Sequence, residues 1–118
     1  MTEKEAKMLD KLFQTHLLDK YNHISLLGGR ATVIHHIKHK SQGLALRWYT
    51  PNGIPLTLEQ HNQIHGKNKS IIEAEIFKNK NNDLKKKLIY QARTKLKLSQ
   101  IRFEEVKNHI IGDAENYI

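Results

Sequence analysis

The sequence predicts an α+β chain: a small strand–strand–helix unit flanked by an N-terminal helix and by basic helices toward the C-terminus. Three observations predict it. Residues 3–20 repeat apolar side chains at steps of three and four. Residues 22–66 switch to β-branched runs broken by Gly, Pro and Asn. From Ser70 onward the chain is polar, Lys-rich and free of strand signals. At 118 residues we read one domain, divided into an N-terminal helix (1–21), a strand–helix core (22–70) and a basic helical extension (71–118).

Each element follows from its residues. In "EKEAKMLDKLFQTHLLDK", Ala6, Leu9, Leu12, Phe13, Leu17 and Leu18 make one broad stripe, with Thr2 placed to cap and acids in the first turn. "LLGGRA" is a two-glycine turn, and "ATVIHHI" (31–37) is a short strand. "LALRWYTPNGIPLT" reads as loop and turn, with room for one short strand around Ile54–Leu56. Thr57 and Gln60 have the capping-box spacing for a helix through "TLEQHNQIHGK", which Gly66 ends. Then come helices "SIIEAEIFKNK", "LKKKLIYQARTKLK" and "QIRFEEVKNHII", the last with Ser99 as its cap. Apolar content of 38% predicts long exposed helices rather than a thick globule.

Charge narrows the partners. The chain carries 20 Lys and Arg against 12 acids, a net charge of +8. Between residues 67 and 107 there are twelve basic residues and five acids, so most of the excess lies in that half. Such a surface favours a polyanion, nucleic acid first and an anionic membrane surface second. No run approaches the length of a membrane span, and the charged start is unlike a signal peptide, so an intracellular protein is expected. With no cysteine there are no disulfides and no thiolate metal sites.

The chemistry concentrates in histidine. Of eight, five fall at positions 35, 36, 39, 61 and 65. His61 and His65 are four apart on a helix, one turn apart on one face, and two imidazoles so placed can bind one metal ion. No Glu follows His61, so the zinc-protease signature is absent. His35 and His36 are adjacent on a strand and point to opposite faces. They can therefore do two jobs, one ligating a metal while the other faces the reacting atom. Neutral imidazole suits a divalent transition metal and is also a general base near neutral pH. His39 reads as a surface residue, and His16, His23 and His109 as solvent-facing or core-edge residues.

The order "IHHI", then Asn52 followed by "GIPL", then His61 and His65, resembles the HNH endonucleases of the ββα-metal superfamily, in their small phage type. The resemblance covers roughly residues 22–70. It implies a ββα-metal core and a metal-dependent DNA endonuclease. His35 would ligate the metal with His61 and His65, His36 would activate water as general base, and Asn52 would tie down the long loop and hold His36 in orientation. One divalent ion is implied (Mg, Mn, Ni or Zn). Many relatives carry two CxxC pairs for a structural zinc; the matching positions here are Ile24, Leu27, Thr57 and Gln60, so no structural zinc is expected and apolar contacts are the expected replacement for the first pair. From charge and place, Arg47 is a phosphate contact, Trp48 packs, and Lys38, Lys40, Lys67 and Lys69 meet the DNA backbone. Two nicks on opposite strands would need two sites, so a homodimer is compatible with this reading. The competing readings are an inactive DNA-binding module that kept the ββα shape, and a structural metal protein.

Overall fold

The computed structural model describes residues 1–39, 42–66, 69–78 and 83–112. Helix α1 spans Glu3–Lys20, as its stripe requires. Thr2 Oγ1 accepts the Glu5 N–H, and the Glu5 carboxylate accepts the Thr2 N–H, so a full capping box starts it. The chain then reverses through Asn22 and His23, both in left-handed backbone, and Gly28 and Gly29. Strand β1 (Val33–His36) pairs antiparallel with β2 (Gly53–Leu56), Val33 opposite Leu56 and His36 opposite Gly53. Helix α3 (Leu58–Ile64) follows, with the Thr57–Gln60 capping box in place. Helices α4 (Lys69–Lys78), α5 (Asp83–Arg93) and α6 (Phe103–Gly112) complete the described chain. The α+β class expected from the sequence stands, with six helices and one two-stranded sheet among the described residues.

Three boundaries differ from expectation. The stretch between the strands is not open loop: Leu44–Arg47 forms a short helix, α2, and Thr50–Asn52 a 3₁₀ turn. Burial of Ala45, Leu46, Trp48 and Tyr49 folds it, and four residues are too few to show a helical period. Ser99 does not cap the last helix but sits in a 3₁₀ turn, Leu98–Gln100, three residues ahead of it. Helix α5 stops at Arg93 rather than running to Lys97.

The β1–β2 ribbon divides the interior. Ile34 and His36 face α1, whereas Val33 and His35 face α3, as strand alternation dictates. On the α1 side, Leu9, Phe13 and Leu17 join Leu46, Trp48, Tyr49, Val106 and Ile110. On the α3 side a smaller cluster holds Ile54, Leu56, Ile64, Ile72 and Ile76. Gly53 lets α1 come close: a Cβ there would lie 2.6 Å from Leu17 Cδ1 and 2.8 Å from Phe13 Cζ. Close approach of Phe13 puts its ring against His36, directly opposite Gly53. The radius of gyration is 13.9 Å, against about 13.5 Å for a folded domain of this length. The expectation of extended exposed helices therefore fails, because both faces of the ribbon are covered. Among the described residues no helix is long and apolar enough to cross a membrane.

Candidate metal centre

Strand β1 and helix α3 bring His35, His61 and His65 together. His35 projects from the α3 face of the ribbon and is buried. His61 lies in α3; His65 is the C-cap residue just past its end, so the four-residue spacing still sets both rings on one side. Ring centroids are 5.3 Å (35–61), 6.1 Å (35–65) and 4.8 Å (61–65) apart. One ligand atom from each lies within 4.8 Å of the others.

Two features show that these residues fit a metal ion. His35 Nε2 and His61 Nδ1 are buried and have no hydrogen-bond partner among the described residues. A buried polar atom left so costs about 1–3 kcal/mol, which a ligand recovers. Two of the three rings are also held neutral. Burial, then the neighbouring His61 and His65, push the His35 pKa down to about 4, and burial followed by His65 lowers that of His61. Metals bind the neutral ring, so His35 and His61 are in their ligating form at neutral pH. Metal–nitrogen bonds of about 2.0–2.1 Å need the rings to draw in by small side-chain rotations. The group can hold a metal ion; three imidazole donors suit a divalent transition metal and leave positions open.

His36, on the other face, has a different environment. Its ring stacks on Phe13, 5.3 Å between centroids and 13° between planes. Its Nε2 lies 2.8 Å from the Arg47 carbonyl oxygen. A carbonyl only accepts, so Nε2 carries the proton and a neutral ring keeps its lone pair on Nδ1. Asn52 is fully buried below the loop that supplies this carbonyl. Its Nδ2 donates to Lys38 O (2.9 Å) and Leu46 O (3.1 Å), and its Oδ1 accepts from Lys38 N–H (2.8 Å). One side chain thus joins the end of β1 to the residue before Arg47.

Arg47, the expected phosphate contact, is paired with an acid of α1. Its guanidinium donates to both carboxylate oxygens of Asp10, at 2.9 and 2.6 Å, and lies over the Trp48 ring. Trp48 is buried, as expected, and its Nε1 also donates to Asp10, at 2.9 Å. The bidentate pair matches the guanidinium fork to a carboxylate of α1, and that carboxylate lines a small cavity together with His36. Sequence reasoning missed Asp10. The available signal was an acid flanked by the apolar stripe of α1, between Leu9 and Phe13.

Other residues settle in different ways. At the positions of the absent cysteines, Leu27 packs on the α3-side cluster but Ile24 is 60% exposed, so apolar contact replaces only half of the first pair. Hydrogen bonds do the rest. Gln60 Oε1 accepts from Ser25 Oγ and from Thr57 N–H, while its Nε2 donates to the Gly28 carbonyl. His109, expected to face solvent or sit at a core edge, is instead buried and accepts the Thr50 N–H through Nε2 at 3.1 Å, with its ring stacked on Tyr49. His23 pairs with Asp19 at 3.0 Å. Lys38 and Lys69 line a cleft of about 590 Å³ that contains His35, His36 and His65. His39 is exposed and lines the same cleft, outside the triad. Lys40 and Lys67 lie outside the described residues. No protein-family model, curated protein or solved structure matches the chain.

Proposed function

We propose that this protein is a metal-dependent DNA endonuclease of the HNH type, with a ββα-metal core formed by β1, β2 and α3. One observation carries the reading. Two adjacent residues of one strand differ in the way hydrolysis requires, His35 converging with His61 and His65 on a shared point and His36 held by the Arg47 carbonyl as a donor through Nε2.

With Nε2 as the donor, the basic atom of the neutral ring is Nδ1, which would take a proton from water as the water attacks phosphorus. Stacking on Phe13 and the Asn52 tie hold the ring while this happens, since both ends of the loop beneath it are fixed by one buried amide. His35, His61 and His65 would hold the metal, which when bound supplies Lewis-acid stabilisation of charge on the phosphodiester and the departing 3′ oxygen. Lys38 and Lys69 place positive charge in the cleft where a phosphate backbone would run.

A plasmid-nicking assay tests the proposal, run with Mg, Mn, Ni and Zn, with and without EDTA, on wild type and His36→Ala. Wild type should convert supercoiled plasmid with at least one metal, EDTA should stop it, and His36→Ala should be slower by about a hundredfold or more. Undiminished cleavage by His36→Ala, or none by wild type with any of the metals, sinks the reading.

A further inference from the structure

The cleft that holds the histidines does not end with them. Helices α4 and α5, which lie beyond the strand–strand–helix core, form its far wall. Lys69, Glu73 and Phe77 fall at steps of four along α4, so one face of that helix lines the cleft for about 12 Å from the end nearest His65. From α5, Lys85 lays its ammonium 4.8 Å from the centroid of the Phe77 ring. The opposite side contributes Lys38 and His39. Basic side chains thus alternate in the lining with apolar ones (Ile37, Ile64, Leu88 and Ile89), Glu73 is its single acid, and an aromatic ring in it is paired with a cation.

Size and chemistry together define the occupant. About 590 Å³ is the volume of a small-ligand pocket, roughly 300–1,000 Å³, and a rigid duplex cannot descend into it. In a duplex, moreover, the faces of the bases are covered by their neighbours and cannot meet a ring in the wall. An unpaired base can, and aromatic stacking with lysines along the backbone is how proteins hold single strands. We propose that the α4–α5 wall makes this a cleft for an unpaired DNA strand, with Phe77 as the stacking surface and Lys69 and Lys85 as backbone contacts. Single-stranded or locally opened DNA is then the substrate of the nuclease proposed above, and the inference rests on that reading for its catalytic half only.

Binding measured without metal separates the two. Fluorescence anisotropy of a labelled 12-nucleotide strand, and of the same strand in duplex, is followed in EDTA with the full chain, Phe77→Ala, Phe77→Trp and Lys85→Ala. The single strand should bind at least tenfold more tightly than the duplex. Phe77→Ala should weaken the single strand about tenfold and leave the duplex unchanged, and Phe77→Trp should restore it. Lys85→Ala, an exposed position that keeps the fold, should lower the salt slope of single-strand binding by about one. Equal affinity for duplex overturns the proposal, as does single-strand binding indifferent to both Phe77→Ala and Lys85→Ala. Tight single-strand binding without cleavage under any metal would remove the nuclease and keep the cleft; cleavage with a preference for duplex would do the reverse.

Discussion

The two faces of the β1–β2 ribbon are built from the same kind of residue and come out chemically opposite. On the α3 face, His35 and His61 are held with buried ring nitrogens that nothing in the described chain satisfies. On the α1 face, polar atoms find partners inside the fold: His36 on the Arg47 carbonyl, Asn52 on three backbone groups, Arg47 and Trp48 on Asp10. One face is incomplete without a ligand, and the other is completed by the protein. The difference teaches how a one-residue step along a strand can separate a ligand set from a positioned base.

The sharpest way to break the comparison is to remove one histidine from each face. His36→Ala should lower cleavage by about 10²–10⁴-fold, the usual contribution of a general base, while a calorimetric titration with the active metal gives unchanged affinity. His61→Ala should lose both metal binding and cleavage. If His36→Ala also loses the metal, the two faces are not separate and the assignment of His36 as base fails.

Stability should discriminate between the faces in the opposite direction. Asn52→Ala leaves Lys38 N–H, Lys38 C=O and Leu46 C=O without their partner in a buried loop. At about 1–3 kcal/mol for each unsatisfied group, the loss should reach about 3 kcal/mol or more in urea unfolding. His61→Ala in metal-free protein should cost far less, because no hydrogen bond is lost at Nδ1. Equal losses for the two variants would show that the α3 face is as internally bonded as the α1 face.

Acid should unfold the metal-free protein through the α3 face. The His35 pKa stands at about 4 in the fold, against 6.5 for an unperturbed ring. Between these values the unfolded chain takes up a proton at His35 and the folded chain does not. The contribution is therefore full above pH 6.5 and is lost progressively as pH falls toward 4, by on the order of 3 kcal/mol. Burial at His61 acts in the same direction. Urea midpoints in EDTA at pH 7, 5.5 and 4.5 measure it, with His35→Asn as the control whose curve should be flatter across that window. Parallel curves for the two proteins would refute the account.

What the sequence shows and hides has a physical pattern. Period-two alternation alone puts His35 and His36 on opposite faces, and a four-residue step alone pairs His61 with His65; both are local and both are found in the structure. The capping boxes at Thr2 and Thr57 are local too. Hidden are the contacts that only the fold creates. Thr50 and His109 meet across 59 positions, and Arg47 and Asp10 across 37. Gly53 looks like a turn residue in "TPNG" and proves to be a close-packing point for α1. Arg47 was read from charge alone, and charge does not reveal which acid a guanidinium will face.

Asp10 gives the smallest expected effect and the finest test. Its carboxylate accepts three hydrogen bonds, two from Arg47 and one from Trp48, and touches neither the triad nor, in our reading, the substrate. It acts only by fixing the segment whose Arg47 carbonyl holds His36. Asp10→Asn keeps the shape but removes the charge, and one side of the fork then faces an amide N–H. His36 should become less well aimed without being lost. Cleavage should fall about tenfold, or roughly 1.4 kcal/mol, in kcat rather than KM, with metal affinity unchanged. A fall confined to KM would instead place Asp10 and Arg47 on the substrate, returning to Arg47 the phosphate contact that its charge first implied.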